Sequence, residues 1–320
     1  MTQNISNSGV DSGRVPGFRR WVLVVALIAA GAAAGATIYL FRTRGGTSAS
    51  DLVSYLPSAG ATLVYIDVDS MRRSGILNML AGAKAAEESE YRQFVDQTRF
   101  DYRQDLDGVA AAFKDGQVFL ALSGRFHWKS LMDYAQRQGG SCHNSYCIAP
   151  GSQANRRVSF YQVRSNILAM AIGRDDFAAY RIARQPGRVA PAASNQPLWA
   201  VVPSAALKDS SLLPDGAKSY AAALQTAEQI LLTIGPQGDH LELALEVTCR
   251  DAASASVLQV ELENATSELR KLIAKERQQP NPTDLTAILV AGTFRRDDRL
   301  VHGQWPIAKA FVDAVAGGSP

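Results

Sequence analysis

Two of the three cysteines lie close together, in the segment Ser141-Cys142-His143-Asn144-Ser145-Tyr146-Cys147. Four residues separate Cys142 from Cys147, enough for a tight turn that brings the two sulfurs within bonding distance. The spacing favours a local disulfide, and the alternatives are two free thiols or a metal site of Cys142, His143 and Cys147. The metal alternative lacks a fourth ligand and a second ligand pair, so we expect neither a metal nor a cofactor. Cys249 follows an apolar strand and is expected to be a buried thiol.

Asp67 and Asp69 follow a run of β-branched and aromatic residues and alternate with Ile66 and Val68. We expect both carboxylates to project from one face near the end of a strand, where a carboxylate pair could transfer protons or hold a cation. The pattern favours a simpler interpretation, in which Asp69 or Ser70 caps the following helix and Asp67 is solvated.

Other polar clusters give weaker indications of chemistry. A run of aspartates before Gly108 resembles part of a calcium loop but lacks its spacing and final glutamate, so turn formation is preferred: Asp101, Asp105 and Asp107. The four histidines are scattered and form no HExxH pair: His127, His143, His240 and His302. The sequence also contains no GxSxG elbow, P-loop or dinucleotide GxGxxG motif. These observations predict no catalytic residue and make an enzyme the less favoured class.

The charge distribution argues against a nucleic-acid-binding protein. The chain of 320 residues carries 33 basic and 30 acidic side chains, a net charge of +3. Five arginines and one aspartate lie in residues 1–50, so the remaining 270 residues carry 28 basic and 29 acidic side chains. Nucleic-acid binding needs a basic face on the folded domain itself, which a nearly neutral domain does not provide.

Residues 21–41 form an apolar stretch of 21 residues without a charge. A helix of this length is about 31 Å long, enough to cross a bilayer core of about 30 Å. Three arginines precede the stretch and two follow it, which favours a single-pass anchor with its N-terminus inside. A signal peptide cleaved after residue 36 is the alternative. Gly31 and Gly35 form a GxxxG pattern that could pair two such helices in a homodimer.

Composition and periodicity divide the chain into six segments. These are a disordered tail (1–18), a transmembrane anchor (19–42), a tether (43–50), a first α+β unit (51–184), a linker rich in Pro, Gly, Ala and Ser (185–197) and a second α+β unit (198–316).

Both units show the same order of strand, helix, hairpin, helix and further strands. Asp115-Gly116 marks the hairpin turn of the first unit, and residues 240–247 alternate between polar and apolar in the second. This order is that of a split βαβ, or ferredoxin-like, unit. The sequence therefore predicts an α+β protein with an N-terminal transmembrane helix and two split-βαβ units, each with its own antiparallel sheet.

Several short segments resemble a group of uncharacterised bacterial membrane-anchored or exported proteins. The segments are Leu56-Pro57, Thr62 to Asp69, Arg72 or Arg73 with Ser74-Gly75, Phe100-Asp101, Asp105-Leu106-Asp107, Gly124-Arg125-Phe126, Gly292-Thr293-Phe294 and Trp305-Pro306-Ile307. The resemblance implies an exported location and supports the fold, but it implies no activity.

Taken together, the sequence predicts an extracytoplasmic protein anchored in the bacterial inner membrane, with the bilayer as a partner of residues 21–41. We expect a binding or scaffold module of the cell envelope whose ligand or partner protein is not identified. The alternative is an envelope enzyme, hydrolytic or metal-assisted, with its site between the two α+β units.

Overall fold

The computed structural model describes residues 47–77, 89–151, 155–185, 194–208, 215–238, 240–275 and 281–317. Thr47–Pro320 form one compact unit. The predicted tail, the anchor with its apolar stretch 21–41, and the Gly31/Gly35 pair lie outside the described residues and stay predictions. Among the helices of the described ranges, none has the length and apolar character needed to cross a bilayer.

The strands of the described residues form one antiparallel sheet of twelve, in the order β11-β12-β10-β9-β8-β1-β2-β3-β7-β6-β5-β4. Their bounds are β1 Thr62–Ile66, β2 Leu106–Lys114, β3 Gln117–Gly124, β4 Ser141–His143, β5 Tyr146–Pro150, β6 Arg157–Arg164, β7 Ile167–Gly173, β8 Leu198–Val202, β9 Gln229–Gln237, β10 His240–Thr248, β11 Thr293–Asp297 and β12 Leu300–Ile307.

The helices connect and cover these strands. Their bounds are α1 Ala49–Val53, α2 Val68–Arg73, α3 Ser89–Thr98, α4 Tyr102–Asp105, α5 Trp128–Arg137, α6 Ala178–Arg184, α7 Asp215–Leu224, α8 Ala252–Lys275, α9 Leu285–Val290 and α10 Lys309–Gly317, with a 3-10 helix at Ser204–Lys208.

The prediction of two split-βαβ units with separate sheets is wrong. In a split βαβ the first strand lies parallel to a later strand, whereas β1 pairs antiparallel with β2, the next strand along the chain. The other edge of β1 is occupied by β8, with Tyr65 opposite Trp199, so the sheet continues from the first half of the chain into the second. The α+β class is confirmed, since the strands of the described residues pair antiparallel and helices pack against the faces of their sheet. Element order could not distinguish the two arrangements, because it does not specify which strands share hydrogen bonds.

The sheet has two halves, β1–β7 and β8–β12, and their strands are connected in a matching way. In the first half, β2 and β3 form a hairpin, and β7 returns from the β6–β7 hairpin to pair with β3. In the second half, β9 and β10 form the hairpin, and β12 returns from the β11–β12 hairpin to pair with β10. The short β4–β5 hairpin extends the first half beyond β6.

Side chains alternate between the two faces of the sheet, and helices pack on both. On the front face, α1 packs against small residues of β2, β3 and β7, where Ala110, Ala121 and Ala169 are fully buried. These alanines allow Leu52 of α1, also fully buried, to lie close to the strands. On the back face, α7, α8 and α9 cover β9, β10 and β12, while α5 covers the strands at the other end.

The β1–β8 pairing is the seam between the halves. Trp199 is 1% exposed, and its ring stacks on that of Tyr65 with centroids 5.6 Å apart. The seam continues past the strand ends, where the backbone N–H of Asp67 donates to the carbonyl oxygen of Pro197 at 2.7 Å. The two halves therefore share both hydrogen bonds and a buried aromatic pair.

We expect Trp199→Ala to lower the free energy of unfolding by about 3–5 kcal/mol, because it leaves a cavity at the seam. Denaturant unfolding of the full-length protein, followed by circular dichroism, measures this change. Phe113→Ala is the matched control: Phe113 is an aromatic residue of the same sheet but is 48% exposed, so its loss should cost less than about 1 kcal/mol. Equal losses in the two variants would contradict a buried seam.

Candidate functional site

The structure confirms the disulfide between Cys142 and Cys147. The two residues lie directly opposite each other in the β4–β5 hairpin, with Cα atoms 4.1 Å apart. Asn144 permits the tight turn by adopting a left-handed conformation, with φ of 54°. Both sulfurs are bonded to each other and are not available as thiolate ligands for a metal. Within the described residues, no group of three or more His, Cys, Asp or Glu side chains is placed to hold a metal ion.

An aromatic cleft of about 330 Å³ lies beside the disulfide turn. It is lined by His143, Asn144, Ser145, Tyr146, Tyr161, Phe177, Tyr180 and Arg184. Tyr146 stacks on Phe177, which is 57% exposed, and the Arg184 guanidinium lies 5.6 Å from the ring centre of Tyr180. Sequence analysis missed this cleft because its residues come from the hairpin, from β6 and from the loop and helix at α6.

Asp67 and Asp69 have separate structural roles. Asp67, not Asp69 or Ser70, caps α2, since its carboxylate accepts the backbone N–H of Ser70 at 2.7 Å. Asp69 lies in the first turn of α2 and pairs with Arg72 at 3.0 Å and Arg73 at 2.5 Å. The strand ends at Ile66, so the expectation that both carboxylates project from one strand face is wrong.

Arg72 lies at the centre of a network that joins α2 to the segment before β2. Its side chain is 26% exposed, and its Nε donates to the carbonyl oxygen of Arg103 at 2.6 Å. Its Nη2 donates to the carbonyl oxygen of Leu106, and its Nη1 lies 3.7 Å from the Asp107 carboxylate. Burial, together with the nearby Asp69 carboxylate, raises the pKa of Asp107, and Arg72 and Arg125 oppose this shift.

The remaining aspartates of this region form the predicted turn. Asp101 caps α4 by accepting the backbone N–H of Arg103 at 2.9 Å, and it also accepts the Tyr91 hydroxyl at 2.7 Å. Asp105 accepts the backbone N–H of Asp101 at 2.9 Å and pairs with Arg125 at 3.1 Å. These carboxylates therefore hold the segment before β2 in place through backbone and arginine donors.

The structure does not bring the four histidines together. His127 precedes α5, His143 lies in the disulfide turn, and His240 begins β10. His302 lies on β12 with its Nδ1 3.7 Å from the Glu246 carboxylate. Cys249 is buried as expected, and burial raises the pKa of its thiol. The histidines therefore form no common catalytic group.

An apolar cavity of about 120 Å³ lies on the back face where the two halves meet, and we name it the junction cavity. It is lined by Met71, Ile76, Pro197, Leu198, Ile234, Gly235, Leu241, Ile307, Phe311 and Val312. Among these described residues none is ionisable, and only apolar atoms contribute to the exposed lining. No single sequence segment indicates this site, because its walls combine α2, α10 and the ends of four strands.

The junction cavity lies at the end of the sheet where the chain enters the domain, which we name the proximal end. The Asn166 amide, in the turn before β7, donates to the Thr47 hydroxyl at 3.3 Å. Pairs of neighbouring strand residues mark this same end across the sheet, from β7 to β12. They are Ile167 with Ser123, Gly124 with Leu106, Ile66 with Leu198, and Leu241 with Ile307. The first described residue and the cavity therefore share one end of the sheet.

Comparisons with known proteins do not assign the chain to a family. No family model matches it, and no curated protein matches it. Solved structures similar to it include crystal forms I, III and IV of TP0453, which are 9%, 9% and 10% identical, with TM-scores of 0.48, 0.49 and 0.43. The match covers 84%, 84% and 86% of this chain and 98% of each TP0453 chain. A likeness at this level assigns no function, and the resemblance noted from sequence motifs stays a prediction.

We expect Arg72→Ala to lower the free energy of unfolding by about 1–3 kcal/mol, because it leaves two backbone carbonyls and a half-buried carboxylate without their donor. Arg73→Ala is the matched control, since the Arg73 side chain is 70% exposed and its pair with Asp69 should contribute less than about 1 kcal/mol. Chemical denaturation of both variants measures the difference. A similar small loss in both would show that the Arg72 contacts do not stabilise the fold.

Tyr65, the buried tyrosine of the seam, should make the free energy of unfolding depend on pH in the alkaline range. Burial, and then the Asp67 carboxylate, raise the pKa of Tyr65 from 10.0 to about 12. The unfolded chain therefore loses this proton first, so the stabilising contribution is complete below pH 10 and is lost as the pH rises to about 12.

We expect Tyr65→Phe to lose less stability than the parent protein between pH 9 and pH 11, as measured by urea unfolding at each pH. Tyr55→Phe, at a half-buried tyrosine outside the seam, should retain the parent's pH dependence. If Tyr65→Phe lost as much stability as the parent protein over this pH range, Tyr65 would not be the group responsible for the loss.

Proposed function

We propose that the chain is a single-pass protein of the bacterial cytoplasmic membrane, with its N-terminus inside and its α+β domain outside the cytoplasm. The charge-free stretch 21–41 and the arginines around it support this placement. The Cys142–Cys147 disulfide also supports it, because such bonds persist in oxidising compartments and are rare in the cytosol. The proposed partner of residues 21–41 is the lipid bilayer.

We further propose that the domain acts by binding rather than by catalysis. The observation that carries this proposal is the junction cavity, a preformed space whose lining contains no ionisable residue among the described residues. Catalytic sites need groups that transfer protons, attack as nucleophiles or stabilise charge, and these groups are polar. An apolar lining instead suits recognition of an apolar ligand.

The alternative of an envelope enzyme placed its site between the two α+β units. The halves meet along a shared sheet, and the cavity at their junction contains neither Asp67 nor Asp69 nor any histidine. The carboxylates suggested for acid–base chemistry cap helices or pair with arginines. These contacts favour the binding proposal over the enzyme.

Thiol labelling of the full-length protein in spheroplasts tests the proposed location. We expect a membrane-impermeant maleimide to leave Cys142 unmodified at first and to modify it after an impermeant reductant is added. The test uses Cys249→Ala, so that only the hairpin cysteines can react.

Adding Cys147→Ser to that variant provides the matched control, because it leaves Cys142 as a free thiol. Cys142 should then react in spheroplasts without any reductant. Modification only after lysis in both variants would place the domain in the cytoplasm. Recovery of full-length protein in the soluble fraction would contradict the anchor.

A further inference from the structure

We propose that the aromatic cleft beside the disulfide turn binds an acidic saccharide, with the sugar carboxylate against Arg184. The cleft shares no lining residue with the junction cavity, so this inference goes beyond the proposed function. The volume of the cleft, about 330 Å³, lies at the lower end of the range of about 300–1,000 Å³ for ligand pockets, which suits a small ligand such as one sugar unit.

Three side chains from neighbouring strands form the floor of the aromatic cleft. His143 of β4 lies opposite Tyr146 of β5, and Tyr146 lies opposite Tyr161 of β6, so the three share one face of the sheet. β4 has only three residues and lies at the sheet edge, where the Cys142–Cys147 disulfide ties it to β5. The floor is therefore formed before a ligand arrives, which lowers the cost of ordering side chains on binding.

Helix α6 and the residue before it supply the wall of the cleft. Phe177 stacks on Tyr146 with ring centroids 5.8 Å apart, and Tyr180 meets Tyr161 edge to face at 5.4 Å. Phe177 nevertheless remains 57% exposed and Tyr180 39% exposed, so packing leaves part of each ring available to a ligand. The negative face of an aromatic ring attracts the weakly positive C–H groups on one side of a sugar ring.

Polar side chains surround these rings and are available to hydrogen-bond a ligand. Within the described part of the chain, no side-chain hydrogen bond is made by five lining residues: His143, Asn144, Ser145, Tyr161 and Tyr180. Together they supply hydroxyl, amide and imidazole groups, which both donate and accept. A saccharide has a C–H face for the rings and hydroxyls for these groups, whereas a hydrocarbon would leave the polar groups without partners.

Arg184 determines which charge the cleft prefers in a ligand. Its guanidinium lies 5.6 Å from the ring centre of Tyr180, and it forms no ion pair with the acidic side chains of the described residues. The two aspartates just before α6 are held by other arginines: Asp175 by Arg181 and Asp176 by Arg157. Arg184 would repel a cationic ligand, whereas a carboxylate would gain a charge-assisted hydrogen bond. The preferred saccharide therefore carries a carboxylate.

The test titrates the full-length protein, in a detergent without a sugar head group, with methyl β-D-glucuronide. Methyl β-D-glucoside is the matched ligand, because it carries a hydroxymethyl group where the glucuronide has its carboxylate. Saturation-transfer NMR detects the sugar C–H groups that contact the protein, and NMR titration gives the dissociation constants. We expect both sugars to bind, and the glucuronide to bind about fivefold more tightly at neutral pH.

Phe177→Ala should weaken the binding of both sugars about tenfold, because it removes a stacking ring. Phe113→Ala is its matched control, since Phe113 is a similarly exposed aromatic residue outside the cleft, and it should change neither dissociation constant. Tyr180→Ala, on the same wall, replaces Phe177→Ala if circular dichroism shows that the latter does not fold.

Arg184→Gln should abolish the preference for the glucuronide and change glucoside binding less than twofold. Arg250→Gln is its matched control, because Arg250 lies in the second half of the chain with a side chain that is 80% exposed, and it should retain the preference.

Failure of both sugars to bind would overturn this inference and leave the proposed membrane location and the junction cavity intact. Equal dissociation constants in Phe177→Ala and Phe113→Ala would show that the sugars bind outside the cleft. A glucuronide preference that survives Arg184→Gln would contradict the placement of the carboxylate.

Discussion

The antiparallel pairing of β1 with β8 is the interaction on which the rest of the structure depends. It joins the two halves into one sheet and places Tyr65 against Trp199 in a buried stack. A free β1 edge would expose unpaired backbone donors and acceptors, which favour association with other chains. Pairing with β8 removes this edge and makes it the seam of a single continuous sheet.

The location of the candidate site follows from that seam. Beyond the ends of β1 and β8, the Asp67 N–H bonds to the Pro197 carbonyl, and helices α2 and α10 approach from the two halves. Arg72 holds α2 to the segment before β2 through two backbone carbonyls. The junction cavity is the space between these elements, so its shape depends on contacts that either half alone could not form.

Local features were the most accessible to sequence analysis. The Asp115-Gly116 pair predicts a tight hairpin, and both residues adopt positive φ, 51° and 70°, at the β2–β3 turn. The spacing of Trp128, Leu131, Met132 and Ala135 predicts one apolar helix face, and these residues form the cluster beneath α5. The cysteine spacing likewise predicts the disulfide. Each signal lies within a few residues, where backbone conformation and side-chain periodicity are set by neighbours along the chain.

The sequence by itself determined the α+β class, the hairpin turns, the disulfide and the near neutrality of the domain, because these depend on local geometry or on simple counts of charge. Only the tertiary structure decided that β1 lies between β2 and β8, that the two halves share a sheet, and that ten apolar residues from distant segments enclose a cavity. The physical reason is that any strand with a suitable alternating face can satisfy the backbone hydrogen bonds of β1. The choice among such partners depends on packing across the whole core, and a pattern within one strand does not contain that information.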